Sequence, residues 1–490
     1  MNIARGQTET DDAGLPAGHR RLAMLCVLTS SAMGILAVSL VTVALPSLAR
    51  DLGVSAAVSV WIVNSYQLAT AASILAFAGL ATIAGVKRVF MGGLATFAIA
   101  SLACALSGTL GSLIPLRFVQ GLGAAAMFSV TPVLFRMIYP EQLLGHALGL
   151  NALVVATGMA SGPVLGGLIV QHVSWVWLFA ANVPLSLAAL WLGSRVLPAR
   201  QPVPSTFDAH GAVTSALVVC FLVGAASQMS RKEGMYVGAG LLVAALACLA
   251  VFARVELRAR APLLPPKLLR NRRLTLAACS SVVANIGQGM ALVALPFLLQ
   301  DGQGYSPGRT GLLLAAMPLA IMVAAPLSGR LSDRYGSTVL TSAGLLAVAI
   351  GLGSFALLEP ATAGDRQFVW RIFLCGLGFG LFQTPNNREF IASVERALTP
   401  AGSGLLSFTR HLGLTLGAAL MSVWMALQAH GSAAGGAFGP LRASLVACAG
   451  VFFVSAAISA LRFQRAPPSR NERQPDRFER RSHRNASRGA

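Results

Sequence analysis

The sequence predicts an all-α polytopic membrane protein whose chain crosses the bilayer fourteen times. Three observations lead to this prediction: an apolar composition, a series of apolar runs long enough to span a bilayer, and basic residues gathered in every second break between those runs. Of the 490 residues, 55% are apolar and 11% are charged, and the mean hydropathy is +0.69. A soluble domain has about 25% charged residues. The composition therefore argues against a soluble enzyme, a disordered chain and a secreted disulfide scaffold.

Fourteen apolar runs, each of about 18 residues or more, define the predicted spans 1 to 14. The first run is too long for a removed signal peptide and lacks a small-residue cleavage site. In chain order the spans are 22–45, 58–82, 89–109, 112–137, 147–171, 175–194, 211–230, 234–253, 274–299, 309–329, 337–357, 370–391, 403–427 and 440–461. Because fourteen is an even number, both termini are expected on one side of the membrane.

The basic residues predict which side that is. The two tails and the breaks after even-numbered spans hold 28 of the 37 Lys and Arg residues, whereas the opposite breaks hold six. Cytoplasmic loops are enriched in Lys and Arg. We therefore expect an inner-membrane or plasma-membrane protein with both termini in the cytoplasm. The net charge of +20 then reflects topology and contact with anionic lipids, and no nucleic-acid partner is predicted.

The two ends of the chain share features that recur in the same order 250 to 255 residues apart. The pairs are 43–46 with 293–296 (both VALP), 80–85 with 331–336, Arg117 with Arg371, and Gly158 and Gly162 with Gly413 and Gly417. This pattern predicts two copies of a six-helix unit. The expected organisation is a cytoplasmic tail (1–21), a first repeat (22–194), two inserted spans with a basic linker (195–273), a second repeat (274–461) and a basic cytoplasmic tail (462–490).

Two parallel six-helix repeats are the architecture of the major facilitator superfamily, and four motifs narrow the resemblance. The chain resembles the fourteen-span drug:proton antiporter family, from about residue 30 to 460. The motifs are 158–167 (GMASGPVLGG) in span 5, 175–184 (WVWLFAANVP) at span 6, 117–123 (RFVQGLG) in span 4 and 329–336 (GRLSDRYG) after span 10. The resemblance implies multidrug efflux by a secondary transporter in which two halves expose a central cavity to each side in turn.

Two of these motifs suggest gating residues. Gly158, Gly162 and Gly166 recur every four residues on one face of span 5 and adjoin Pro163 and Gly167. Such a face allows close helix approach, so it is either a seam between moving halves or tight packing alone.

Asp333 and Arg334, before Gly336, lie at the cytoplasmic end of span 10. They are either a charge latch that keeps this side closed or an ordinary solvated pair. Thr82 stands at the matching first-half position, so a latch built on this aspartate is expected in one half only.

Cations and uncharged polar residues inside spans are the candidates for the cavity. Arg410 and His411 in span 13 are the proton-coupling candidates, because a histidine titrates near neutral pH. The lone histidine could equally be structural. The cavity or substrate candidates are Trp61, Asn64, Tyr66, Arg117, Gln120, Asn285, Gln288, Gln383, Asn386 and Asn387. For Arg117, a structural role near the interface is an equal alternative.

The span 1 motif of the family normally contains an aspartate, where this chain has Ala37, and an asparagine, where it has Thr42. None of the seventeen acidic residues falls near the middle of a predicted span. The usual carboxylate for proton exchange is thus missing, which favours neutral or anionic amphiphiles as substrates over cationic drugs.

These observations predict a secondary transporter that exports small amphipathic compounds, with proton coupling left open by Ala37 and Thr82. The alternatives are an uncoupled facilitator or importer of the same fold, and a transport-dead sensor or assembly protein. No nucleotide-binding loop, zinc-ligand pair or nucleophile constellation occurs, so neither an enzyme nor a bound cofactor or metal is predicted. The expected partners are a small-molecule substrate and membrane lipids, and a periplasmic adaptor stays an open question.

Overall fold

The structure is a computed structural model that describes residues 15–140, 143–199, 208–229, 234–259, 268, 270–359, 364–394, 399–431 and 438–463. Regular secondary structure in these ranges is helical throughout. Residues 260–267 and 269 of the predicted basic linker, and most of both predicted tails, lie outside the described residues.

In the described ranges, fourteen long helices correspond one to one with the fourteen predicted spans. They are α1 (Ala17–Asp51), α2 (Trp61–Ala84), α3 (Val86–Ala105), α4 (Leu110–Ile138), α5 (Leu144–His172), α6 (Asn182–Val196), α7 (Ala209–Met229), α8 (Met235–Arg258), α9 (Arg272–Phe297), α10 (Pro307–Leu314 and Ala316–Tyr335), α11 (Ser337–Gly353), α12 (Asp365–Ala392), α13 (Thr399–Gly431) and α14 (Phe438–Ala460). Short helical turns, Ala56–Ser59 and Trp177–Ala180, precede α2 and α6.

Within the described ranges, thirteen helical segments are long and apolar enough to cross a membrane. Helix α12 is not among them, although it has 28 residues. Charged residues at both ends, such as Asp365 and Glu389, and polar residues further inside, such as Arg371 and Gln383, lower its hydropathy. The apolar residues between them still pack α12 against α10 and α11 inside the bundle.

Glycines allow the same close helix contacts in the first six and the last six helices. A methyl group at Gly93 of α3 would lie 2.8 Å from the carbonyl oxygen of Gly123 in α4, and one at Gly344 of α11 would lie 2.5 Å from that of Gly378 in α12. These distances are too short for any side chain. Small residues that let backbones meet are the usual packing device in lipid, where the hydrophobic effect does not press helices together.

The helix ends also match. Gly85 lies between α2 and α3 with φ of 94°, and Gly336 lies between α10 and α11 with φ of 85°. A residue with a side chain adopts such a φ only at a cost, so glycine is favoured at both tight connections.

Helices α7 and α8 pack against each other beside the bundle. Helix α7 contacts α2 and α13, where Val219 packs on Ala71 and Ala72, while α8 leaves large apolar side chains such as Val243 exposed. Exposed apolar faces of this kind are expected of helices that border lipid.

Two names describe the ends of the bundle. The terminal end is where α1 begins and α14 ends, and the far end is where α1 ends and α2 begins. Odd-numbered helices therefore run from the terminal end to the far end, and even-numbered helices run back.

Candidate functional site

A large cavity lies between the first six and the last six helices. It contains about 1680 Å³ of space that protein atoms do not occupy, including the part open to solvent. Its lining comes from α1, α2, α4 and α5 on one side and from α9, α10 and α13 on the other. Of the sequence-predicted residues, Tyr66, Pro163, Gln288, Arg410 and His411 line it.

The wall of the cavity is mainly apolar. Isoleucine, valine, leucine, methionine, proline and phenylalanine side chains alternate with a few neutral polar groups, including Gln67 and Asn151. Gln67 Oε1 and Asn151 Oδ1 are buried without a hydrogen-bond partner. Among the lining residues that the structure describes there is no Asp, Glu or Lys, and Arg410 is the one arginine.

Arg410 and His411 extend from α13 towards the first six helices. Arg410 Nη2 lies 3.8 Å from Met159 Sδ on α5, which is its hydrogen-bonding contact across the cavity. The His411 ring stacks on Phe128 of α4, with 5.9 Å between the ring centres and 20° between the planes. The two candidates for proton coupling therefore both touch the opposite half.

The cavity is closed at the far end by polar contacts between α9 and α1. A π-helical turn, Leu298–Gly302, continues α9 and presents Gln300 to α1. Gln300 Nε2 donates to the Val43 carbonyl oxygen at 2.8 Å, and Gln300 Oε1 accepts from Ser47 Oγ at 3.2 Å. Beside them Arg50 pairs with Asp301 at 2.7 Å. We call Gln300, Val43 and Ser47 the far-end latch.

A backbone contact between α5 and α10 closes the same end. Gly311 lies against the Pro163 carbonyl oxygen, and Gly167 lies against that of Pro307, so closely that neither glycine has room for a side chain. The Gly308 amide also donates to Gln171 Oε1 at 3.0 Å. This α5–α10 contact joins the two halves over the last turns of α5.

The glycine face of span 5 is thus divided between two neighbours. Gly162 and Gly166 press against Ser39 and Leu40 of α1, within the first six helices. A methyl group at Gly166 would lie 2.6 Å from the Leu40 carbonyl oxygen. At Gly158 it would make only an ordinary contact with Ile35, at 3.5 Å. Tight packing and a boundary between halves therefore coexist on this helix.

Towards the terminal end, the cavity reaches the first turns of α5 and the last turns of α4. Leu148 and Phe135, four residues after the start of α5 and three before the end of α4, line it there. Leu148 is half exposed. The structure is therefore closed at the far end and open towards the terminal end.

Arg117 and Gln120 lie behind the cavity wall. The fully buried Arg117 guanidinium donates to the carbonyl oxygens of Ile62 at 2.9 Å and Ala37 at 3.2 Å, and to Gln120 Oε1. It also lies 4.6 Å from the centre of the Tyr66 ring. Arg117 therefore joins α1, α2 and α4 and supports an aromatic ring that faces the cavity. At position 37, where the family motif normally has an aspartate, this arginine binds the backbone carbonyl oxygen of Ala37 and not a carboxylate.

The remaining polar candidates lie outside the lining of the cavity. Asn285 donates to the Ser281 carbonyl oxygen within α9 at 2.7 Å, and Asn386 accepts from Arg462 at 2.8 Å near the terminal end. The others outside the lining are Trp61, Asn64, Gln383 and Asn387.

The 329–336 motif forms the last turns of α10 and makes contacts within the last six helices. Asp333 pairs with Arg388 of α12 at 2.6 Å, and both side chains are more than half exposed. The Arg334 guanidinium lies 5.3 Å from the ring centre of its neighbour Tyr335. At the matching place in the first half, Lys87 donates to the carbonyl oxygens of Ser194 and Leu197.

Several residues that form the site were not among the predicted site residues. Gln300, Ser47 and Phe128 belong to no motif, and each lies within or directly beside an apolar run, while Met159 lies in the 158–167 motif but was not singled out there. One available signal is the polar pair Gln300–Asp301, placed on the same expected side of the membrane as Arg50.

Comparison with known proteins gives one family. The family model described as "Major Facilitator Superfamily" matches residues 27–418 and 277–486. The chain is 41% identical to the "Uncharacterized transporter YebQ" of Escherichia coli (strain K12), over 84% of this chain and 90% of that protein. It is 32% identical to the "Tetracenomycin C resistance and export protein" of Streptomyces glaucescens, over 86% and 80% of the two chains.

A third relative, a "Multidrug resistance protein B homolog" of Mycobacterium tuberculosis (strain ATCC 25618 / H37Rv), is 31% identical over 84% of this chain and 77% of its own. Among solved structures, the POT family transporter PepTSo has the same fold, with a TM-score of 0.65, 14% identity, and coverage of 90% of this chain and 97% of that one.

Proposed function

Because the chain belongs to the major facilitator superfamily, it is a membrane transporter, and we propose that it exports small amphipathic compounds by alternating access. The observation that carries this proposal is the cavity, which is large, mainly apolar, open towards the terminal end and closed at the far end. Relatives named for multidrug resistance and for export support the direction of transport.

We propose further that the protein lies in the inner or plasma membrane with both termini in the cytoplasm. The excess of basic residues in the terminal tails and their matching loops supports this orientation. In that orientation the cavity faces the cytoplasm, where an exporter takes up its substrate.

In the proposed cycle, the halves rock about the bound substrate. Export requires the far-end latch and the α5–α10 contact to separate while the terminal end closes. The latch consists of two neutral hydrogen bonds, each worth about 1 kcal/mol, so the far end can open without a large driving force.

For proton coupling, the cavity offers His411, whose imidazole can take up and release a proton. An uncoupled facilitator is the second candidate function, and the absence of Asp and Glu among the described lining residues favours it. A carboxylate in the cavity is the usual means of taking a proton on one side and releasing it on the other.

Uptake into inside-out membrane vesicles tests these proposals. A panel of fluorescent amphiphiles is offered with an imposed pH gradient and without it, and vesicles from cells without the gene are the control. Uptake that depends on the gradient supports the proton-coupled exporter, whereas equal uptake with and without it supports the facilitator. If the two kinds of vesicle accumulate every compound equally, the protein is not a transporter of amphiphiles.

A further inference from the structure

In the described helices, three arginines lie more than five residues from either helix end, and their surroundings differ. Arg117 donates to two backbone carbonyl oxygens and to Gln120. Arg371 donates to the carbonyl oxygens of Ser354 and Gln367. In each case good oxygen acceptors hold the guanidinium, as expected of an arginine that joins helices.

Arg410 has no such set of acceptors. Its hydrogen-bonding contact is Met159 Sδ at 3.8 Å, and a thioether sulfur is a weak acceptor. Among the described residues no carboxylate pairs with it. The Arg410 side chain lines the cavity, so its free donors are available to a molecule there.

A cation in this position needs a negative partner from outside the protein. Placing a charge inside the membrane costs about 3 kcal/mol or more on insertion scales, and a partner of opposite charge reduces that cost. The walls supply none, because their other polar groups are neutral amides, hydroxyls and His411. An anion that enters the cavity therefore meets one uncompensated positive charge.

The surroundings of Arg410 indicate what is attached to that anion. Met159, Leu414 and the stacked Phe128 and His411 rings offer apolar and aromatic contact beside the guanidinium.

We propose that Arg410 binds the acidic group of the substrate, and that the transported compounds are amphipathic anions with an aromatic or alicyclic body and a carboxylate or sulfonate. This inference rests on the proposed function, because it takes the cavity to be the transport path. It specifies that the substrates are anions, which the proposed export of amphiphiles does not by itself require.

A matched pair of ligands tests the proposal by binding alone. Dansylglycine carries a carboxylate, and dansylglycinamide has the same body without the charge. Both are measured by equilibrium dialysis against the full-length protein in phosphatidylcholine nanodiscs, with empty nanodiscs subtracted. The expected result is that the acid binds about tenfold more tightly than the amide, which corresponds to about 1.4 kcal/mol.

Variants assign that preference to the guanidinium. In Arg410→Gln the preference for the acid is expected to disappear while the amide binds as before, which also shows that the cavity is intact. Arg410→Lys keeps the charge and is expected to retain part of the preference. Arg195→Gln, which changes an exposed arginine at the end of α6, is the matched control and is expected to keep all of it.

Two outcomes would overturn the inference. If the wild-type protein binds the acid and the amide equally, or if the preference survives in Arg410→Gln, Arg410 is not an anion site. The proposed function stands in either case, because the cavity still binds an amphiphile. If the protein binds neither compound above empty nanodiscs, both proposals fall. The dialysis is then repeated with gluconate in place of chloride in the buffer. If the acid binds more tightly in gluconate, chloride competes with it for the same guanidinium.

Discussion

Gln300 donates a hydrogen bond to the Val43 carbonyl oxygen at 2.8 Å and thereby ties the last turn of α9 to α1. The contact joins residues 257 positions apart in the chain and is almost completely buried. It lies beside the α5–α10 contact, so both boundaries between the halves are closed at one end of the cavity. The conformation described here is stable as long as these contacts hold.

Removal of the latch is expected to open the far end. Gln300→Ala loses the hydrogen bonds to Val43 and Ser47, together worth about 2 kcal/mol, and should therefore raise the ratio of far-end-open to far-end-closed protein by about tenfold or more. Double electron–electron resonance between spin labels at the exposed positions Ser55 and Leu357 measures that ratio. Asp301→Asn, which removes the ion pair with Arg50 worth at most about 1 kcal/mol but none of the latch residues, is the control and should shift the distances much less. An unchanged distance distribution in Gln300→Ala would show that the latch does not hold this end.

A bulkier residue at Gly311 is expected to keep the halves apart. In Gly311→Val the new side chain meets the Pro163 carbonyl oxygen, and overpacking of this kind costs about 1–3 kcal/mol. We expect transport to fall by about tenfold because the far end no longer closes. Gly450→Val in α14, where a methyl group would meet nothing within 4 Å, should transport normally. Equal transport by Gly311→Val and Gly450→Val would exclude the α5–α10 contact from the cycle.

Loss of Arg117 is expected to destabilise the first six helices. Arg117→Gln removes hydrogen bonds to α1 and α2 and leaves the carbonyl oxygens of Ala37 and Ile62 without this donor. Each hydrogen bond from a charged group is worth about 1.5–3 kcal/mol, so we expect a loss of about 3 kcal/mol or more and a clearly lower Tm in detergent. Arg195→Gln, at an exposed site, should unfold like the wild type. A wild-type Tm for Arg117→Gln would mean that the buried contacts do not stabilise the bundle.

His411→Phe separates proton binding from packing. The new ring can stack on Phe128 as His411 does, but it cannot take up a proton. If His411 couples transport to the pH gradient, the variant should transport equally with and without a gradient in inside-out vesicles. Gradient dependence as in the wild type would remove His411 from the coupling step.

The fold could be predicted from the sequence because fourteen apolar runs are separated by polar breaks. In lipid, a long apolar segment forms a helix because the helix satisfies all its backbone hydrogen bonds internally. Each run corresponds to one helix in the described part of the chain, including α12, whose charged and polar residues lower its hydropathy without shortening it. The lining of the cavity followed less completely. A run of helical residues does not reveal how the helix is rotated, so Tyr66 and Gln288 line the cavity while Asn64 and Asn285 are buried elsewhere.

The latch was missed for a different reason. The predicted span 9 ends at residue 299, and Gln300 then belongs to a loop in which polar residues are ordinary. The π-helical turn Leu298–Gly302 extends the helix and directs the Gln300 side chain into the boundary with α1. Only the position of α1 beside that turn gives Gln300 a role, and the sequence alone does not show which spans are neighbours.

Access to the cavity from each side is the most direct test that it alternates between them. In a protein without its seven cysteines, Val38→Cys places a thiol in the cavity wall. A membrane-impermeant maleimide should label it quickly in inside-out vesicles and slowly in intact cells. Adding Gln300→Ala should speed labelling in intact cells and slow it in vesicles. If no reagent reaches residue 38 from the outer face of cells carrying either protein, the cavity does not alternate, and the account is wrong.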